Sequence, residues 1–178
     1  MLYFLANLEL YGISLGLDNL KGNKYSNSIL MGISDVVSAL SVGLAGEKWG
    51  RKASMIVCTS AIAVGGLAYA ILPANFILIF MLLIVTRLGT GGSFTLAFLI
   101  AQEAYSTDIR GTVFGFANAF AGIGGLLAPF SSALPNFMLI VAFLGFFSLL
   151  LTLSLKETKD LKMEDSITQI LSDKQSNV

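Results

Sequence analysis

Six long apolar runs, separated by short breaks of charged or turn-forming residues, dominate this sequence. The runs cover residues 1–18, 29–47, 53–72, 76–102, 111–131 and 135–155. A bilayer core of roughly 30 Å requires about 20 apolar residues for each helical crossing. None of the runs alternates apolar and polar residues as a membrane-spanning β-strand would. Because lipid offers no partner to unpaired backbone groups, the pattern predicts an all-α membrane protein with six transmembrane helices in one bundle.

The amino-acid composition supports a membrane location and divides the chain in two. Of the 178 residues, 55% are hydrophobic and 12% are charged, whereas soluble domains carry about 25% charged residues. After residue 155 the composition changes to Lys, Glu, Asp, Ser, Thr and Gln. We therefore predict a transmembrane bundle over residues 1–155 and a cytoplasmic, disordered tail over residues 156–178.

The distribution of Lys and Arg predicts the orientation of the helices. Six crossings place both termini on one side of the membrane, together with the second and fourth loops. Seven basic residues lie on that side and two lie opposite: Lys48, Arg51, Lys52, Arg110, Lys156, Lys159 and Lys162 against Lys21 and Lys24. Cytoplasmic loops carry the excess of Lys and Arg, so both termini are expected in the cytoplasm.

The first run does not follow this rule by itself. No basic residue precedes it, and Lys21 and Lys24 follow it. Met1 also leads directly into apolar residues, without the charged region of a signal peptide. Alone, this helix would adopt the reverse orientation. We interpret the sequence as a chain whose natural upstream part is missing.

The residue types present exclude several kinds of functional site. The sequence has no histidine, and its single cysteine, Cys58, lies inside the third run. This excludes imidazole catalysis, an internal disulfide and Cys- or His-ligated metal sites, and no cofactor is expected. The stretch from Gly89 to Ser93 lacks the Lys of a phosphate-binding loop. A nucleotide is therefore not expected as a partner. No nucleic acid is expected as a partner either, and a membrane enzyme is disfavoured.

Glycines recur inside the runs at spacings that let helices approach closely. They are Gly12-x-x-x-Gly16, Gly111-x-x-x-Gly115 and clusters at residues 89–92 and 122–125. We predict that these glycines serve helix packing or form a flexible point in a helix.

Three short motifs carry a resemblance to a known family. They are Gly46-Glu47-Lys48-Trp49-Gly50-Arg51-Lys52, Glu103-Ala104-Tyr105-Ser106-Thr107-Asp108-Ile109-Arg110 and Lys156-Glu157-Thr158-Lys159. In order and spacing they resemble the G-x-x-D/E-x-x-G-R-R/K, E-L-x-P-T-x-x-R and P-E-T-K motifs in the second half of major facilitator transporters, in particular organic cation transporters and sugar porters. The resemblance covers roughly residues 8–160. Ser106 and Lys156 replace family prolines, and Gly122 stands where related carriers often have a charged residue.

The resemblance implies the C-terminal six-helix half of a major facilitator transporter in the plasma membrane. Such a half would need an N-terminal six-helix half, from the same gene or a partner chain, and would move a small organic solute, an organic cation or a similar compound, by alternating access. Its cytoplasmic gate network would comprise Glu47, Arg51, Lys52, Glu103, Arg110 and Glu157. The alternative is a non-transporting membrane protein or a truncated product that needs a partner half.

Charged residues inside the runs are the candidates for a substrate site, because each is costly in hydrocarbon. Arg87 and Asp35 match charged residues of the resembled family, whereas Glu9 matches none. We predict that Glu9, Arg87, Asn118 and Tyr11 line the substrate cavity, with Glu9 supplying the charge absent at Gly122. The alternative is that Arg87 and one carboxylate only neutralise each other.

Overall fold

The computed structural model describes residues 1–16, 23–72, 76–103, 105, 107–134 and 136–155, and within them the chain forms six α-helices. The helices are α1 (Leu2–Leu15), α2 (Lys24–Trp49), α3 (Arg51–Ile71), α4 (Phe76–Glu103), α5 (Thr107–Ser132) and α6 (Phe137–Leu153). The predicted all-α, six-helix membrane architecture is confirmed. The predicted tail over residues 156–178, with Glu157 of the expected gate network, lies outside the described residues.

Four of the six helices are long and apolar enough to cross a membrane, and two are shorter. Lys24–Trp49, Arg51–Ile71, Phe80–Glu103 and Ile109–Ser132 form the long set. The apolar helices α1 and α6 have 14 and 17 residues, which corresponds to about 21 and 26 Å at 1.5 Å per residue. Each polar or turn-forming break of the sequence therefore separates two apolar helices.

The turn between α2 and α3 is tighter than the sequence indicates. We expected a break over residues 46–52, but α2 continues to Trp49 and α3 begins at Arg51. Gly50 alone makes the turn, with φ 93° and ψ 158°. Only glycine adopts this conformation without a clash of its Cβ. Glu47 and Arg51 consequently lie on helix ends rather than in a loop.

Two asparagines mark the beginnings of other helices. The Asn23 side chain accepts a hydrogen bond of 3.0 Å from the backbone N–H of Tyr25 and so caps α2. Asn136 precedes α6 in the left-handed conformation, with φ 60°, which asparagine tolerates better than most residues. These local signals fix where α2 and α6 begin.

The packing of the helices is organised around four neighbour pairs. Helix α3 packs along both α4 and α6, α1 packs along α5, and α2 packs mainly on α4. Close approach of α3 and α4 depends on Gly89, since a Cβ there would lie 2.7 Å from the Cys58 carbonyl oxygen. Gly111 and Gly115 behave differently, because the described residues place no atom within 4 Å of a Cβ at either position. Within the described part of the chain this pair therefore does not hold two helices together, and its role as a flexible point stays a prediction.

The buried apolar side chains form two clusters. One consists of Ile13, Met31, Ile62, Leu83, Phe137, Met138 and Val141. The other consists of Tyr3, Val42, Met55, Cys58, Leu96, Ala97 and Ala121. On α1, α2 and α4, the residues between the two clusters include Glu9, Asp35 and Arg87. The charged residues of the spans therefore lie in a layer at the middle of the bundle.

Candidate functional site

The middle layer is polar although it is buried between apolar clusters. Four helices contribute a polar side chain to it: Glu9 from α1, Asp35 from α2, Arg87 from α4 and Ser148 from α6. Ionisable residues at membrane depth pair with one another or with backbone carbonyls and mark functional pathways. We call Glu9, Asp35, Arg87 and Ser148 the middle polar layer.

Arg87 connects three helices through its guanidinium. Its Nη2 donates a 2.8 Å hydrogen bond to Asp35 Oδ2, and its Nη1 donates one of 2.8 Å to the Leu10 carbonyl oxygen. The Arg87 side chain is 6% exposed, and that of Asp35 is 42% exposed. The guanidinium is therefore shielded, while its carboxylate partner lies partly at the surface of the bundle.

This ion pair leaves two polar atoms without a hydrogen-bond partner. Asp35 Oδ1 and Arg87 Nε are both shielded from solvent and have no partner among the described residues. Oδ1 lies beside Gly91 of α4, where a Cβ would approach it to 3.5 Å. Buried polar atoms are usually hydrogen-bonded. The pair can thus receive one further acceptor at Nε and one further donor at Oδ1.

Glu9 lies between α1 and α6. It is 1% exposed, and its Oε1 accepts a 3.1 Å hydrogen bond from the Ser148 hydroxyl. Its Oε2 is buried and has no partner in the described residues. The second carboxyl of the layer therefore binds a hydroxyl rather than a cation.

The other two predicted cavity residues lie at the surface. Tyr11 on α1 is 49% exposed, and Asn118 on α5 is exposed. Gly122, one turn beyond Asn118, has no described atom within 4 Å of a Cβ built on it. Nearby, Asn7 donates a 2.8 Å hydrogen bond from Nδ2 to the Ala121 carbonyl oxygen and so ties α1 to α5.

The structure brings some of the predicted residues together and separates others. Arg87 pairs with Asp35, whereas Glu9 contacts Ser148 on a different helix. The sequence identified Asp35 as an intramembrane charge but did not include it among the cavity residues. Ser148 was missed entirely, since a serine in an apolar helix is an unremarkable signal. Asp35 could have been found from its cost in hydrocarbon, which demands a cationic partner at a similar depth.

The predicted gate network is centred on a fork between α3 and α4. Arg51 donates from Nη2 to Glu103 Oε1 at 2.8 Å and from Nε to Glu103 Oε2 at 3.0 Å. Arg51 Nη1 also donates to the Gly46 carbonyl oxygen at 2.9 Å. This bidentate geometry is the strong form of a charge-assisted hydrogen bond. The fork joins the end of α4 to the turn between α2 and α3.

Three further members of the network are described, and they contact backbone groups or lie at the surface. Lys52 Nζ donates a 2.9 Å hydrogen bond to the Leu153 carbonyl oxygen at the end of α6. Arg110 Nε and Nη2 each lie 3.4 Å from the Tyr105 carbonyl oxygen, toward which they donate. Glu47 is exposed. Lys52 thereby links α3 to α6 at the same end of the bundle.

No group of three or more Cys, Asp or Glu side chains within the described ranges is arranged to hold a metal ion. The chemistry available at the middle of the bundle is recognition by hydrogen bonds and charge.

Comparisons with known proteins bear on what this arrangement does. A family model described as Major Facilitator Superfamily matches residues 1–129. The chain is 32% identical to Solute carrier family 22 member 16 of Homo sapiens over 166 residues, or 89% of this chain and 28% of that protein. It is 28% identical to the Organic cation transporter-like protein of Drosophila melanogaster over 163 residues, or 88% of this chain and 29% of that protein.

A third relative is Solute carrier family 22 member 7 of Bos taurus, which is 28% identical over 177 residues, or 96% of this chain and 32% of that protein. The chain spans about a third of the length of these curated relatives. The resemblance carried by the three sequence motifs is confirmed.

Proposed function

Since the chain belongs to the major facilitator superfamily, we propose that it moves small organic solutes, organic cations or similar compounds, across a membrane. It does so by alternating access, as the C-terminal six-helix half of a secondary transporter. The family match over residues 1–129 is the observation that carries this proposal. In transporters of this kind two six-helix bundles rock around a site at the bilayer midplane. The partner of this bundle is an N-terminal six-helix half, from the same gene or from another chain.

The middle polar layer supplies the substrate site of this proposal. Asp35 and Arg87 form its charged centre, and the exposed Tyr11 and Asn118 extend its wall onto α1 and α5. Glu9 stands behind this wall, because it is 1% exposed and contacts α6. It is a supporting carboxyl that reaches a solute only if α1 and α6 separate.

Recognition of an organic cation follows from the state of the Asp35–Arg87 pair. Asp35 uses Oδ2 for Arg87 and keeps Oδ1 uncommitted. A cationic solute group that approaches the partly exposed carboxylate competes with the guanidinium for the same charge. Binding is therefore coupled to loosening of the contact between α2 and α4.

The fork between Arg51 and Glu103 supports a gate at the cytoplasmic end of the bundle. In this proposal the network closes the cytoplasmic side, holds the two halves together in the outward-facing state and breaks in the inward-facing state. Its further members are Glu47, Lys52, Arg110 and Glu157. A gate of this kind requires interactions that exist in one state and not in the other.

Both termini are placed in the cytoplasm, and the membrane is proposed to be the plasma membrane. The basic asymmetry of the loops supports this orientation. It is tested by introducing single cysteines on a Cys58→Ser background and labelling intact cells with an impermeant reagent. Labelling is expected at Asn23 and Asn136 and not at Lys52. Outside labelling at Lys52 overturns the orientation.

Transport is tested with the complete gene product that contains this chain, reconstituted in proteoliposomes. The solutes are a radiolabelled tetraalkylammonium cation, an aryl carboxylate and a neutral sugar. We expect saturable uptake of the cation, and for Asp35→Asn a rise of about tenfold or more in half-saturation concentration. That factor corresponds to the loss of a charge-assisted contact of about 1.5–3 kcal/mol. The Asp35→Glu variant is the matched control, because it keeps the charge.

Two outcomes would contradict parts of this proposal. If Asp35→Asn leaves the half-saturation concentration unchanged at normal protein levels in the membrane, Asp35 is not part of the solute site. Absence of uptake for all three solutes by a folded product, together with stable association of the chain with other helices, supports the alternative of a non-transporting membrane protein.

A further inference from the structure

A groove on the side of the bundle is lined by residues other than the four of the middle polar layer. It runs between α2, α3 and α4 and has a volume of about 300 Å³. Small residues make room for it, with Ser41 and Ala45 on α2, Ala61 on α3 and Gly89 on α4. Ser41 is exposed, so the groove opens outward from the bundle. In a membrane-embedded bundle, a groove that opens outward is accessible to lipid wherever no other helix covers it.

The groove contains a hydroxyl without a partner. Ser54 is 3% exposed and lines the groove, and its Oγ has no hydrogen-bond partner in the described residues. By contrast, the Ser38 hydroxyl, which lines the same groove, donates a 2.8 Å hydrogen bond to the Leu88 carbonyl oxygen. A buried donor usually finds an acceptor. The unsatisfied Ser54 hydroxyl thus indicates a ligand with an oxygen acceptor that lies in the groove beside Ser54.

The length of the groove fits one leaflet. Its α2 side runs from Ser38 to Trp49, which corresponds to about 16 Å along a helix axis. Half of a hydrocarbon core of roughly 30 Å is about the same length. A transmembrane helix of a partner would instead need a groove along the whole bundle. An acyl chain of one leaflet therefore suits the groove better than a protein segment.

The end of the groove has the residues of a headgroup site. Trp49 lines it and is 68% exposed, and tryptophan is enriched at the level of lipid headgroups. The exposed Lys48 follows Ser41 by seven residues, so helical periodicity places it on the groove side of α2. The same periodicity places Glu47 on the opposite side. Lys48 therefore places a basic side chain at this end of the groove.

We propose that this groove binds an anionic phospholipid, with one acyl chain between α2 and α3, its ester oxygens at the Ser54 hydroxyl and its phosphate at Lys48. Basic sites between transmembrane helices attract anionic headgroups. The acyl chain fills the space that the small side chains leave, and the ester oxygens satisfy the buried hydroxyl. The site is separate from the solute site and does not depend on the direction of transport.

The single tryptophan of the chain makes the proposal directly measurable. The chain is reconstituted in phosphatidylcholine vesicles that contain increasing fractions of acyl-brominated phosphatidylglycerol or acyl-brominated phosphatidylcholine, and quenching of Trp49 is recorded. We expect half-maximal quenching at about fivefold lower fraction of phosphatidylglycerol, as one basic residue at an anionic surface predicts. Lys48→Gln should remove this preference, and Ser54→Ala should weaken quenching by both lipids.

A matched pair of variants tests the groove itself. Ala61→Phe fills it and should abolish the saturable quenching, whereas Ala70→Phe, at an exposed position of α3 outside the groove, should not. Equal quenching by both lipids in the wild-type chain, or an unchanged preference in Lys48→Gln, overturns the proposal. Loss of quenching as the protein-to-lipid ratio rises would assign the groove to a second copy of the chain and would also overturn it.

Discussion

The fork between Arg51 and Glu103 should contribute measurably to the stability of the bundle. The two side chains lie at the meeting point of α3 and α4, and the shortest hydrogen bonds between them are 2.8 and 3.0 Å. The perturbation is neutralisation of each partner, singly and together, with Arg51→Gln and Glu103→Gln. Arg51→Gln should be the more harmful single change, because it also removes the 2.9 Å hydrogen bond to the Gly46 carbonyl.

The expected magnitude lies between those of an exposed and a buried pair. Exposed ion pairs contribute about 0–1 kcal/mol, and hydrogen bonds to charged groups contribute about 1.5–3 kcal/mol. The side chains of Arg51 and Glu103 are 17% and 26% exposed, so solvent screens them only in part. We therefore expect a coupling free energy of about 1–2 kcal/mol in the double-mutant cycle.

The assay is unfolding of the purified chain by sodium dodecyl sulfate in mixed micelles, followed by circular dichroism. Lys24→Gln combined with Glu103→Gln is the control, because Lys24 begins α2 at the other end of the bundle. These two changes should add within about 0.5 kcal/mol. A coupling below about 0.5 kcal/mol between Arg51 and Glu103 would refute the reasoning and leave Arg51 as a topological signal only.

Two further changes test the packing and the middle polar layer. Gly92→Leu should greatly reduce the yield of monodisperse chain in size-exclusion chromatography, since a Cβ there would lie 2.6 Å from Cys58 Sγ. The control Gly122→Leu should keep the yield, because no described atom lies within 4 Å of a Cβ at that position. Equal yields of the two variants would contradict the tight contact at Gly92. Ser148→Ala should lower the free energy of unfolding by about 1–3 kcal/mol, because the buried Glu9 carboxyl loses its hydrogen-bond donor. In the same detergent assay, a change below about 0.5 kcal/mol would show that Glu9 does not depend on Ser148.

The helices could be predicted from the sequence because one physical requirement dominates. A long apolar run in lipid must satisfy its own backbone, and helix formation does so locally. The turn at Gly50 is shorter than the sequence predicts. Charged residues at positions 47, 48, 51 and 52 indicate a loop, but in the structure they belong to the ends of two helices. Glycine spacing failed at Gly111 and Gly115, because spacing indicates that a close approach is possible and not which helix makes it.

The candidate site could be predicted only as a set of residue types. The cost of charge in hydrocarbon pointed to Glu9 and Arg87, but the partner of Arg87 depends on how α2 and α4 are rotated toward each other. Asp35 lies 52 positions from Arg87 in the chain, and no local pattern encodes that contact. The role of Ser148 was hidden further, since a serine hydroxyl in a helix commonly bonds a carbonyl of its own helix.

The two carboxyl groups of the middle polar layer differ in how accessible they are to a competing partner. On one side, α1 is tied to α5 by the hydrogen bond from Asn7 and to α6 by the shielded contact of Glu9. On the other side, α2 is tied to α4 through Asp35, whose side chain is 42% exposed and retains an uncommitted oxygen. In the proposed transport cycle, a solute that reaches the layer competes for the partly exposed carboxylate of Asp35 on α2 and not for the enclosed Glu9 carboxyl of α1. In that proposal, the junction of α2 with α4, rather than that of α1 with α6, is therefore where solute binding changes the packing of the helices.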